Sequence, residues 1–228
     1  MPPTSMARPA QADLRNRLRD LPLIAILRGL QPDAAAEVGE VLVEAGFRII
    51  EVPLNSPQPL SSIERLARAL PASVLVGAGT VLDLGDVDRV RDAGGRLIVM
   101  PHSDPDVIGR ARDRGLVCTP GVATPTEGFA ALKAGADALK LFPAEALPPP
   151  ILKAWRAVFP PDTLMLPVGG IRPDTMKPFV DAGANGFGLG SALFTPKLTA
   201  AEVARNARDF ATAWRALGAG NSAAGDRC

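Results

Sequence analysis

Lys140 stands in the middle of an apolar run, Ala138-Leu139-Lys140-Leu141-Phe142-Pro143. Gly135 lies just before that run and Pro143 ends it, the signature of a buried strand. An ammonium inside such a strand costs free energy unless it is paired or discharged. Burial favours the free amine, and a free amine is a nucleophile. Of the five lysines, Lys133, Lys153, Lys177 and Lys197 fall on helical or loop stretches. A plainer role is open to Lys140: a strand-end lysine that snorkels to water. Glu51 interrupts a second apolar run, Ile49-Ile50-Glu51-Val52-Pro53, and Arg28 closes a third, Leu23-Ile24-Ala25-Ile26-Leu27-Arg28. Each has a structural alternative. Glu51 and Lys140 could form a buried ion pair that only sets register, and Arg28 could pair with a loop carboxylate. Three ionisable residues aimed at one mouth favour chemistry.

The elements that would have to position them recur along the chain. Glu44-Ala45-Gly46, Asp92-Ala93-Gly94, Asp113-Arg114-Gly115, Lys133-Ala134-Gly135 and Asp181-Ala182-Gly183 each precede an apolar run. Each glycine reads as a helix C-cap and each run as the next strand. Leu70-Pro71-Ala72 and Phe159-Pro160-Pro161 stop helices where the phrase is skipped. The period, roughly 20 residues or twice 24, suits one strand, one helix and two short loops. The strand candidates are Leu23–Leu27, Ile49–Pro53, Val74–Gly77, Leu97–Met100, Val117–Thr119, Ala138–Phe142, Met165–Val168 and Gly186–Leu189. Val38, Val41, Leu42 and Ala45 form one helical apolar stripe, and Thr199-Ala200-Ala201-Glu202 is a capping box that opens the last helix. This α/β alternation predicts a parallel sheet, and its length favours a closed (β/α)8 TIM barrel over an open doubly wound sheet. The expected organisation is a single domain: an arm or lead-in helix over 1–19, the barrel over 20–217 and a disordered tail over 218–228.

In a barrel of this kind function gathers at the C-terminal strand ends. The seventh and eighth ends carry Gly169-Gly170 and Gly190-Ser191, whose bare amides suit a phosphate. Glycines there could equally serve only tight turns. Gly186-Phe187-Gly188-Leu189-Gly190 has the wrong spacing and place for a dinucleotide loop. His102, the only histidine, reads as a hydrogen-bonding neighbour, and Cys118 as core.

Composition narrows the classes. The formal net charge of +1 gives no field for nucleic acid or a membrane surface. No apolar run reaches spanning length, and the first residues lack a signal-peptide core, so a cytoplasmic protein is expected. Cys118 and Cys228 do not suggest a disulfide framework, and one histidine leaves little for a metal site or a Ser-His-Asp triad.

A desolvated lysine attacks a carbonyl to form a Schiff base, an electron sink for the neighbouring carbon. A carboxylate moves protons, an arginine holds a planar carboxylate, and a glycine cup fixes a phosphate. The combination describes cleavage of a phosphorylated keto acid, with no metal or other cofactor required.

Several motifs, in this order, are similar to one family: Pro22-Leu23-Ile24-Ala25-Ile26-Leu27-Arg28-Gly29, Glu51-Val52-Pro53-Leu54-Asn55-Ser56-Pro57, Gly77-Ala78-Gly79-Thr80-Val81-Leu82, Ala138–Pro143, Val168-Gly169-Gly170 and Gly188-Leu189-Gly190-Ser191. Over roughly residues 20–195 the chain resembles the class I aldolases of 2-keto-3-deoxy-6-phosphogluconate and -galactonate. The resemblance implies that Lys140 is the Schiff-base lysine and Glu51 the general acid/base. It implies that Thr80 and Pro101 line the keto-acid end, that Phe142 packs beside the imine, and that Gly169, Gly170, Gly190 and Ser191 hold the phosphate. It also implies a homotrimer and no metal. Asn55 and Val168 stand where the gluconate branch has arginine and threonine. Arg28 would then take the carboxylate, a pattern that resembles the galactonate branch. Gluconate-type or dual activity, a phosphate-binding barrel enzyme of another class, and a non-catalytic sugar-phosphate sensor stay open on these residues.

Overall fold

Strands of this chain are apolar on both faces, so each must be covered twice: by helices outside and by other strand side chains inside. The computed structural model describes residues 8–222. Strands β1 (Leu23–Ile26), β2 (Ile49–Pro53), β3 (Leu75–Gly79), β4 (Leu97–Val99), β5 (Val117–Thr119), β6 (Gly121–Val122), β7 (Leu139–Leu141), β8 (Met165–Pro167) and β9 (Phe187–Leu189) alternate with helices. The helices are α1 (Pro9–Arg17), α2 (Ala35–Glu44), α3 (Pro59–Ala69), α4 (Leu84–Asp92), α5 (Pro105–Asp113), α6 (Pro125–Ala134), α7 (Pro149–Arg156), α8 (Met176–Asp181) and α9 (Ala200–Ser222). The result is an α/β fold with a curled parallel sheet. Six strands run in the order β5-β4-β3-β2-β1-β9, and three in the order β6-β7-β8. A parallel bridge joins Val168, just past β8, to Gly188 of β9.

All eight expected strands are present: Ile49–Pro53 and Val117–Thr119 with the expected bounds, the other six shortened or shifted by one or two residues. A ninth, β6, was not expected. Pro120 has no N–H to give the ladder, so the run from Val117 to Val122 is divided there. Gly46, Gly94, Gly115, Gly135 and Gly183 follow their helices with φ between +71° and +109°, as the C-cap reading requires. The capping box also forms: Thr199 Oγ1 accepts from the Glu202 N–H at 3.3 Å, and Glu202 Oε2 accepts from the Thr199 N–H at 2.8 Å.

Side-chain alternation divides the core in two. Leu23 and Ala25, Ile50 and Val52, and Leu139 and Leu141 face the helices in one large cluster. Ile24, Ile49 and Ala138 face the concave side, in a smaller cluster with Leu75, Leu97, Val117, Leu164 and Leu166. Strand period two then carries Arg28, Glu51 and Lys140 to that same concave side. Ile26 is paired with Glu51, Glu51 with Gly77, and Lys140 with Gly121 and Leu166.

Helix α1 closes the N-terminal end of the concave side. Its Leu14, together with Leu18, belongs to the smaller cluster. Arg8 fastens the start of this helix, donating to the Gly135 carbonyl at 2.6 Å and lying 3.6 Å from the buried Asp137 carboxylate. The lead-in is therefore part of the packed structure from Arg8 onward; residues 1–7 of the expected arm lie outside the described residues. Leu14→Ala should cost about 3 kcal/mol, a buried leucine's usual loss, measurable by urea unfolding. At the other end α9 runs on to Ser222, past the expected boundary at 217. Gly218 weakens a helix without ending one already anchored by packing. Residues 223–228 of the expected tail lie outside the described residues. Among the described residues no helix is long and apolar enough to cross a membrane.

Candidate active site

Lys140, central in β7, is 7% exposed, and Glu51, central in β2, is 2% exposed. They share a small inner cavity of about 10 Å³ with Thr119, Val168 and Gly188. That is space for about one water molecule. Within it no ion pair joins the amine to the carboxylate. Glu51 Oε2 is buried and has no hydrogen-bond partner. The register-setting ion pair is therefore not what these two residues form. An unpaired buried carboxylate is costly as a structural element and useful as a proton acceptor.

Electrostatics follow from that burial. Loss of water pushes the Glu51 carboxyl up from its ordinary 4.5 to about 7, against the opposing pull of Lys140 and Arg28. Burial also lowers the Lys140 ammonium pKa; Glu51 raises it again, and Arg28 lowers it further. Two groups whose ordinary values lie far apart are thus drawn toward neutrality, the condition for moving protons at physiological pH. The amine sits 4.7 Å from the centre of the Phe142 ring.

Glu51 depends on its neighbour strand. A Cβ on Gly79 would stand 1.9 Å from Glu51 Oε2. Only a glycine leaves the carboxylate room there. Thr80, the next residue, holds φ +55°, an uncommon conformation for a β-branched residue.

A larger cavity of about 620 Å³ adjoins the inner one, and Ile26, Lys140 and Val168 line both. This outer cavity brings together Arg28, Phe142, Val168, Gly169, Gly170, Gly190 and Ser191 with Lys140. Gly169 and Gly170 have φ +115° and +62°, conformations that glycine reaches without strain. Arg28 does not meet a loop carboxylate; it donates to Asn55 Oδ1 at 2.7 Å. The Gly29 N–H donates to the buried Ser56 hydroxyl at 2.9 Å. Arg28 is thereby held over the cavity mouth with most of its donors unspent.

Not every expected residue joins this group. Thr80 and Pro101 follow β3 and β4 but line neither cavity. His102 is exposed, and its carbonyl accepts from the Gly121 N–H at 3.1 Å. Cys118 is core, and burial beside Asp137 keeps its thiol protonated. Glu145 and Arg172 line the outer cavity and were not expected. Their only signals in the sequence are their places, Glu145 two residues after Pro143 and Arg172 two after Gly170.

An amine, a carboxylate, an arginine and a glycine pair thus gather on one concave face, the kinds of group that imine-forming carbon–carbon cleavage would use. Residues 14–208 match the model of the KDPG and KHG aldolase family. A probable 2-dehydro-3-deoxy-6-phosphogalactonate aldolase of Rhizobium meliloti (strain 1021) is 48% identical over 186 residues, 82% of this chain and 88% of that protein. The 2-dehydro-3-deoxy-6-phosphogalactonate aldolase of Escherichia coli (strain K12) is 46% identical over 196 residues, 86% and 95% of the two chains. A solved structure described as "Native KDPGal structure" superposes with a TM-score of 0.85 at 44% identity, covering 86% of this chain and 96% of that one. The chain belongs to the KDPG and KHG aldolase family.

Proposed function

We propose that this protein is a class I aldolase that cleaves 2-dehydro-3-deoxy-6-phosphogalactonate to pyruvate and glyceraldehyde 3-phosphate. The observation that carries the reading is a buried lysine and a buried glutamate, whose Oε2 has no hydrogen-bond partner, lining one cavity with room for about one water molecule. Lys140 attacks the C2 ketone, and loss of water leaves a protonated imine. Glu51 takes the C4 hydroxyl proton through that water. The C3–C4 electrons flow into the imine, C4 becomes the aldehyde, and the aldehyde leaves. The enamine that remains is protonated at C3, and water hydrolyses the imine to release pyruvate and the free amine. The iminium nitrogen is the electron sink, so a metal has no step to perform.

Arg28 holds the substrate carboxylate bidentately at the mouth, and Phe142 packs beside the imine. The amides of Gly169, Gly170 and Gly190 and the Ser191 hydroxyl hold the phosphate. Thr80 and Pro101, at the ends of β3 and β4, border the keto-acid end once substrate fills it.

The two sheets belong to one closed (β/α)8 TIM barrel, with β5 and β6 a single divided strand. Three contacts support that closure: the Val168–Gly188 bridge, the Asp137 N–H donating to the Cys118 carbonyl at 2.9 Å, and the Lys140 N–H donating to the Pro120 carbonyl at 2.9 Å. The working protein is a cytoplasmic homotrimer in sugar-acid catabolism.

Val168 favours the galactonate epimer. It lines both cavities beside Lys140, and a substrate joined to that amine through C2 would bring C4 near it. The deciding measurement is kcat/KM for the two C4 epimers, with pyruvate release as the signal. The galactonate epimer should be preferred. A preference for the gluconate epimer would overturn the substrate assignment, and release of no pyruvate from either would overturn the reaction. Val168→Thr should move the ratio toward gluconate by less than about tenfold, because an apolar wall rejects a hydroxyl only weakly.

A further inference from the structure

The phosphate end of the outer cavity carries two opposite charges that the proposed reaction does not use. Glu145 leans over the glycine pair. A Cβ on Gly169 would lie 2.2 Å from Glu145 Oε2, and one on Gly170 would lie 2.9 Å from Glu145 Cγ. A phosphate entering this end meets a like charge. The backbone amides and the Ser191 hydroxyl are neutral donors and do not cancel it. Among the lining residues the cations are Arg28, Lys140 and Arg172. The first two are committed to the keto-acid end, which leaves Arg172.

Arg172 is well placed to answer. It follows the Gly169-Gly170-Ile171 turn directly, and its backbone N–H donates to Thr175 Oγ1 at 2.8 Å, which fixes its Cα at the cavity rim. Its guanidinium rests on Asp174, with Nε 3.2 Å from Oδ1. Those two side chains are 60% and 73% exposed. An exposed pair this close in sequence is weak and easily exchanged for another anion.

We propose that Arg172 is a specificity-determining residue that turns from Asp174 to the substrate phosphate. It supplies the full positive charge at that end of the cavity and offsets Glu145. A guanidinium suits the task because its fork matches two phosphate oxygens. The inference rests on the phosphate reading of the preceding subsection.

The test compares kcat/KM for the phosphorylated keto acid with kcat/KM for its unphosphorylated counterpart, and measures inhibition by inorganic phosphate. Wild type, Arg172→Ala, Arg172→Lys and Asp174→Asn are compared. Arg172→Ala should lower the phosphorylated-to-unphosphorylated ratio about tenfold and weaken phosphate inhibition by a similar factor, the loss of one charge-assisted contact. Arg172→Lys should recover part of both. Asp174→Asn, which frees the arginine, should tighten phosphate inhibition about two- to threefold. An Arg172→Ala enzyme with an unchanged ratio and unchanged phosphate inhibition overturns the role of Arg172 and leaves the phosphate site standing. A wild-type enzyme that does not distinguish the two substrates overturns the phosphate site itself.

Discussion

Lys140→Ala is expected to gain no mass when treated with borohydride and pyruvate, whereas the wild-type chain gains one pyruvate-derived adduct. Turnover should fall by at least about 10⁴-fold, since the electron sink is lost with the amine. Lys140→Arg should be as inactive, because a guanidinium does not give up its proton in a protein. The pH dependence has a definite sign. Burial lowers the Lys140 pKa from its ordinary 10.5. The unprotonated fraction at neutral pH is therefore larger than that of a surface lysine, and trapping should rise with pH through a midpoint below that value. Peptide mapping decides the matter. An adduct on Lys133, Lys153, Lys177 or Lys197 would remove Lys140 from the mechanism.

Glu51→Gln should separate chemistry from stability. Cleavage should slow by about 10²–10⁴-fold, the usual contribution of a positioned general base. Borohydride trapping of pyruvate at Lys140 should persist, because the amine is still in place. The wild-type rate should climb with pH through about 7 as Glu51 ionises, and that limb should vanish in the variant. Stability moves the other way. The folded-state pKa is raised from 4.5 to about 7. The folded chain therefore binds the extra proton between those values, and the contribution of Glu51 is fully present below 4.5 and lost as pH rises through 7. Glu51→Gln should be the more stable protein at pH 8, by roughly 3 kcal/mol, with the difference shrinking toward pH 5. Urea unfolding at the two pH values checks this. A variant less stable than wild type at pH 8 would mean that Glu51 is a structural partner.

Much of this was legible in the sequence, for reasons that differ by residue. Glu51 and Lys140 stood out because each breaks an apolar strand, and a buried charge is hard to explain as packing. The helix C-cap glycines marked the period, because few other residues adopt positive φ there. The division at Pro120 was harder to see: two residues, Gly121 and Val122, make a strand only because Lys140 and Leu141 lie beside them. Strand alternation was hidden as well, since Leu139 and Ala138 are both apolar yet face opposite sides. Arg172 and Glu145 resemble ordinary surface charges. Only the fold sets them at one end of the same cavity as Gly169. Asn55 stands out in the sequence for what it replaces, while its bond to Arg28 follows only from the pairing of β1 with β2.

The bare hydrogen at position 79 has a wider consequence. Glu51 occupies the volume that any larger side chain at that position would claim. A single methyl group there, contributed from one strand away, would evict the proton carrier while leaving the helices and the outer shell of packing intact. Such a molecule would keep its silhouette and its nucleophile and still be catalytically mute. When other chains of this outline are sorted into working and silent copies, the residue aligned with Gly79 is as informative as the lysine itself.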